Sequence, residues 1–485
     1  MKKILKYGLL GAVIVLVLVA AAAGYFMATF NPNEYKPQII QAVKDKQQRT
    51  LRLDGDIKLT IFPSIGAKVE KISLSEYKSD KEFAAVESAQ LSLALLPLLA
   101  KQVVVSEVGL SGLKVSVIKN KDGSTNLDDL LGKQTAKEEV TPVETKSQAA
   151  VLFDIAAVKI ENTELSYRDD STGAQYDLKN LSLKTGRIAN GIPGKINLNA
   201  DIKANKPKLD IAAQLQTTLT FDLEKKLFQV EGLDMEVKGS ALEFSNLLVK
   251  ASGAASANLE TQEFKANALE IKVSGASAKD KFALNLEVPA LNFTQDNVAA
   301  EKLRIYATQD GALGNVIATL NLNDMQGNAK LFKSTSLALE VELKQPEQTF
   351  KLNLSTPLAG SIEAKQINLS NLVLALKATG DKLPGKAISS EMKGSVQVDA
   401  VRESVQLNLA GGLLQSNVKA KLAVKGFSVP AIRFDLDVDQ FDADLYLSKK
   451  TAAAPVKNDA ASEQPFDLSA LKNCTATSSG REAYT

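Results

Sequence analysis

The feature that most constrains this chain is a two-residue alternation of apolar and polar positions, repeated segment after segment. Its clearest instance is Leu209, Ile211, Ala213, Leu215, Thr217, Leu219, Phe221 and Leu223. A strand of 15 residues reaches about 50 Å, where an ordinary strand has about 5–6 residues. The pattern recurs at Ile196–Ile202, Phe282–Val288, Val316–Leu322, Leu337–Leu343, Leu372–Ala378 and Val418–Val424. Positions between are Lys, Asn, Asp, Glu, Ser and Gln, so each strand has one apolar and one wet face. That is the signature of an antiparallel sheet. No helical stretch comes between the strands, which argues against βαβ units. The wet face carries Lys195, Lys203, Lys265 and Lys272. On alternation alone a filled β-sandwich is the commoner outcome. Strand length, 5% aromatic residues and the lack of Trp favour a face that is left open.

Composition removes most chemistry. The chain of 485 residues contains no His and one Cys, so imidazole-based triads and His-ligated metals are excluded. Lys+Arg 58 against Asp+Glu 56 gives no electrostatic footprint for nucleic acid. Two S-x-x-K matches, Ser75–Lys78 and Ser111–Lys114, and one K-T-G match, Lys184–Gly186, lie in strand-like or turn-like sequence without an S-D-N partner. They read as chance matches to short patterns. Asp128-Asp129 and Asp169-Asp170 read as turn and surface residues. The expectation is a protein that is not an enzyme, with no cofactor and no metal.

The N-terminus decides location. Lys2, Lys3 and Lys6 precede an uncharged stretch of 22 residues, Leu9 to Phe30. As a helix it is about 33 Å long, enough for a hydrocarbon core of about 30 Å. A cleaved secretory signal with Ala21, Ala22 and Ala23 at its end is the alternative. The apolar run continues through Tyr25, Phe26, Met27 and Phe30, beyond the usual ~7–15 residues of a signal, which favours an uncut anchor. Leu9, Val13, Leu16, Val19 and Phe26 are its anchor residues. The flanking lysines place the N-terminus in the cytoplasm and the bulk of the chain across one membrane.

The reading along the chain is then as follows. Residues 1–31 form a cytoplasmic stub and transmembrane anchor. Residues 32–131 form a small module, with a short amphipathic helix capped by Asn33 and carrying Tyr35, Ile39, Ile40 and Val43, followed by strands. Asp54-Gly55, Asn120–Gly123 and Gly411-Gly412 read as turns. Residues 132–149 and 449–465 are linkers, and 150–448 hold the large sheet. Phe466-Asp467-Leu468-Ser469-Ala470-Leu471-Lys472 echoes Phe153-Asp154-Ile155-Ala156-Ala157-Val158-Lys159, each directly after a linker. Residues 466–485 therefore read as the truncated start of a C-terminal β module.

Several segments together resemble the AsmA family of Gram-negative envelope proteins. They are Phe30–Ile39, Arg49-Thr50-Leu51 with Leu53–Ile57, Phe62-Pro63 with Ile72–Ser75, Leu93–Leu99, Val103–Val117 and Asn120–Asn126. The order of these pieces carries the resemblance more than any one of them. There are departures: Lys46-Gln47-Gln48 stands where the family usually has a Thr-Gly pair, an aromatic before Phe62-Pro63 is absent, and the family's C-terminal module is missing. The resemblance implies a mainly β protein: an inner-membrane anchor, then a long curved, groove-like antiparallel sheet in the periplasm. It implies a role in outer-membrane biogenesis, with phospholipid and the inner membrane as partners. The lipid-groove candidates are Leu209, Ile211, Leu215, Leu219 and Phe221. The alternative is a scaffold or regulator that meets outer-membrane assembly proteins through sheet edges.

Overall fold

The computed structural model describes residues 25, 29–99, 102–131, 154–294, 296–381, 383–413 and 416–440. The anchor residues, both linkers and the echo at Phe466 lie outside them. Among the described residues no helix is long and apolar enough to cross a membrane. The protein is mainly β, and its contacts form two compact units that divide between Ala251 and Ser252.

In the first unit, helix α1 (Lys36–Gln47) precedes strands β1 (Leu51–Leu53), β2 (Ile57–Thr60), β3 (Ser64–Ser75) and β4 (Glu82–Ala94). The short α2 (Leu95–Leu99), which contains Pro97, leads to β5 (Val105–Ser111) and β6 (Lys114–Lys119). Then come β7 (Asp154–Ile155), β8 (Val158–Asp169), β9 (Ala174–Thr185), β10 (Ile188–Ala189), β11 (Gly194–Asn205), β12 (Lys208–Asp222) and β13 (Leu227–Ala241). The unit boundary falls within β14 (Phe244–Asn258). The second unit is a meander of hairpins: β15 (Glu263–Ser277), β16 (Asp280–Phe293), β17 (Val298–Gly311), β18 (Gly314–Gly327), β19 (Phe332–Lys344) and β20 (Gln348–Ser361). It continues with β21 (Gln366–Gly380), β22 (Ala387–Asp399), β23 (Ser404–Leu413), β24 (Ser416–Lys425) and β25 (Ala431–Val438).

Four expectations are corrected. The cap is Asn31, at the start of a 3-10 turn (Pro32–Tyr35) that leads into α1; its side chain accepts from Asn33 N at 3.1 Å, while Asn33 accepts from Ile57 N at 2.9 Å and so docks the helix entry on β2. Asp54-Gly55 is no hairpin turn. Both β1 and β2 pair with β3, and Gly55 is a break between them, where a Cβ would stand 2.4 Å from Glu70 O. Gly411-Gly412 lies inside β23, paired with Met392 and Glu391, because a Cβ on Gly411 would meet Glu391 O at 2.1 Å. The sheet is also not wholly antiparallel. β8 runs parallel to β5 and β6, with Leu110 opposite Ile160 and Val115 opposite Leu165. A parallel neighbour needs a crossover of a dozen residues or more, and the chain between β6 and β7 supplies it.

The strands are longer than the alternation suggested because the alternation slips by one residue inside them. In β21, Ile367 and Leu369 are followed by Leu372, Leu374 and Leu376. At each slip of this kind in β3, β8, β9, β13, β14, β15, β18 and β21 one residue has positive φ: Lys71, Asn162, Asn180, Gly232, Asn246, Ala268, Asp324 and Asn371. Gly, Asn and Asp tolerate this conformation best. Beside the positive-φ residues of β8, β9, β13 and β21 the pairing register shifts, as at a β-bulge; those of β15 and β18 face a matching interruption in the neighbouring strand and the register is unchanged. In the second unit the interruptions align across neighbours, from Ala268 opposite Pro289 to Glu301, Asp324 and Thr335, then Pro357 and Asn371. Carbonyls released there are met by hydroxyls: Ser334 Oγ donates to Asn323 O at 2.5 Å and Thr356 Oγ1 to Ser370 O at 2.9 Å. The buried side chains gather along this line, including Val288, Ala300, Leu358 and Leu372.

Candidate functional site: an uncovered apolar face

Strand register joins the apolar positions into rows. In the first unit, successive partners are Ile57, Val69, Ala89, Leu110, Ile160, Leu183, Leu198, Leu215 and Met235. A second row is Leu51, Leu74, Ala84, Val115, Leu165, Leu178, Ile202, Ile211 and Gly239. Both rows pass from the N-terminal strands into the larger sheet through the parallel β5/β6–β8 ladder. In the second unit the row is Ile271, Leu286, Ile305, Leu320, Leu339, Leu354, Leu374, Met392, Gly411, Val418 and Val438. Ten inter-strand steps make it about 48 Å long, roughly three times the ~15 Å leaflet depth that one acyl chain spans.

This face is neither sealed nor fully wet. Within each unit, substantial contacts between strands join hydrogen-bonded neighbours, so among the described residues no second sheet lies over it. A filled sandwich buries its large aliphatic side chains. Among the described residues the twelve buried apolar ones include six alanines, while every residue of the second-unit row from Ile271 to Gly411 is half-buried. Leu209, Ile211, Leu215, Leu219 and Phe221 lie together on one face of β12, all half-buried. Opposite them on β13 are Ala241, Gly239, Met235, Val230 and Phe228. At the bulge line of the second unit a hollow of about 500 Å³ is lined by Ala266, Leu291, Ala300 and Met325, with Asn267, Asn292 and Glu301 beside them.

The opposite face is ionic. Lys195, Lys203, Lys265 and Lys272 are exposed, and three of them pair with Asp210, Glu263 and Glu270. Glu236 sits between Lys238 and Lys250, and Glu342 between Lys344 and Lys351; hydrogen bonds from these lysines hold both carboxyls below the usual range. Cross-strand charge of this kind favours the intended register and deters edge-to-edge aggregation.

Sequence reasoning missed one polar centre. Arg49 is 1% exposed. It donates through Nε and Nη2 to Asp129 at 2.7 and 2.6 Å, through Nη1 to Ser75 O at 2.9 Å and through Nη2 to Asn126 O at 2.5 Å. Its guanidinium lies 4.6 Å from the Phe83 ring centre. Asp129 is therefore no surface residue, and the hydrogen bond from Arg49 lowers its carboxyl pKa. Asp169 is buried at the end of β8 and accepts from Ser171 and Lys119, which lowers its pKa as well. The motif residues are engaged in structure: Ser75 Oγ accepts from Thr50 N at 2.8 Å, Lys114 lies 3.9 Å from Glu164, and Lys184 pairs with Glu161 at 2.8 Å.

The comparisons with known proteins agree with the residue pattern. The AsmA family model matches residues 1–476. The chain belongs to the AsmA family. It is similar to Protein AsmA of Escherichia coli (strain K12), at 21% identity over 235 residues, which cover 47% of this chain and 37% of that protein. No solved structure matches it.

Proposed function

We propose that this family member is an inner-membrane-anchored protein of the bacterial envelope that carries phospholipid acyl chains on its apolar face. Its N-terminus is cytoplasmic and its β body periplasmic. Family membership and the Leu9–Phe30 stretch support the location. The observation that carries the lipid reading is the unbroken second-unit row from Ile271 to Val418, half-buried along most of its length. Each CH₂ of an acyl chain left in water costs about 0.8 kcal/mol, so such a surface lowers the free energy of a lipid tail outside a bilayer. The role is solvation, with no bond made or broken.

A photo-crosslinking residue at Leu215 or Leu374 in living cells tests this. Adducts with phospholipid support it, and exposed wet-face positions such as Lys203 serve as negative controls. Adducts with proteins alone overturn it in favour of a scaffold or regulator of outer-membrane protein assembly.

A further inference from the structure

β25 is the last described strand, and among the described residues it pairs with β24 on one side only. All its residues are exposed. Its alternating apolar side chains, Ile432, Phe434, Leu436 and Val438, are 38–59% exposed, whereas on β24 Val418 is buried and Leu422 and Val424 half-buried. An open edge with this pattern is a template for another strand and a liability if left bare.

The first unit contains a described solution to the same problem. After the linker at 132–149, the chain returns and Ile155, Val158 and Ile160 pair in parallel with Val105, Val108 and Leu110 of β5. The segment that makes this return begins with the sequence that Phe466–Lys472 echoes. The family match runs to residue 476 and so includes the echo. Between Val438 and Phe466 lie 27 residues, and an extended chain of that length reaches about 90 Å. Running back along the eight residues of β25 requires only about 26 Å.

We propose that Phe466–Lys472 adds to the open edge of β25 as a parallel strand, as Ile155–Ile160 adds to β5. Leu471 then falls opposite Phe434 and extends the apolar face by one strand, and the N–H and C=O groups along the outer edge of β25 gain partners. This holds whether or not the face carries lipid. In the β5 pairing Ile155 lies opposite the first residue of its partner strand. The same register sets Leu468 opposite Ala431 and the native Cys474 opposite Asp437.

The native thiol makes the orientation measurable in the full-length chain. Asp437→Cys is expected to form an intramolecular disulfide with Cys474 under mild oxidation, because directly opposed residues of paired strands share a face and hold their Cα atoms within the ~7 Å that a disulfide bridges. Ala431→Cys is expected not to. A disulfide from position 431 in place of 437, a disulfide only between two chains, or none at all overturns the proposal. A second measurement needs no new cysteine. In Leu468→Asp/Leu471→Asp, amide exchange in β25 is expected to rise at least about tenfold while β5 is unchanged; equal exchange in the two proteins also overturns it.

Discussion

The N-terminal module and the second-unit meander are both β structure, yet they are held by different means. The module closes around a buried charge: Arg49 gathers Ser75 O from the end of β3 and Asn126 O and Asp129 from the segment after β6. Among the described residues of the meander no charged residue is buried; its buried polar residues are Ser334, Thr356 and Ser390. There each strand leans on the two beside it, so stability is close to a sum of neighbour terms. The module instead has one buried polar centre built on Arg49.

The sharpest way to break the contrast is Arg49→Ala. It strands a carboxylate and two carbonyls in a buried site, and the expected loss is about 3–5 kcal/mol. Limited proteolysis should then cut within residues 32–131 while β15–β24 stay intact; uniform loss across both regions would refute the separation. Leu372→Ala probes the meander. Leu372 is 2% exposed, and a cavity there is expected to cost about 3 kcal/mol. Faster hydrogen exchange should be confined to β20, β21 and β22, with β3 and β4 unaffected.

Acid provides the third comparison. The Asp129 carboxyl is depressed by Arg49. Its contribution is therefore complete above the unfolded value of about 3.9 and is lost as pH falls through the lower folded value. The stability gap between the native chain and Asp129→Asn, read from exchange in β3 and β4, should narrow below about pH 4 and stay flat above it. The smallest effect is a gain. Ala268 has φ +47, so Ala268→Gly removes a left-handed penalty of about 1 kcal/mol and should raise the unfolding midpoint of the meander.

Much of this fold is legible in the residues, and the illegible part has a physical cause. β12 spans Lys208–Asp222 and contains no positive-φ residue, so its alternation is unbroken and its length could be read within a residue. β16 reads only from Phe282 to Val288 yet spans Asp280–Phe293, because the phase changes near Pro289 and an observer counting by twos stops there. Asn162, Asn180 and Asn371 beside such slips are the available signal. The apolar face was legible because β12 alone defines it. The Arg49 centre was not, since its partner Asp129 lies 80 positions away in sequence that looks like an ordinary turn.

The hairpin meander has a consequence for how such a protein changes over time. Duplicating or deleting one hairpin, some thirty codons, leaves every remaining strand with the neighbours it needs and alters the apolar row by about 9.6 Å. The length of the apolar face thereby becomes a quantity that selection can adjust in whole steps, without redesigning any packed interior.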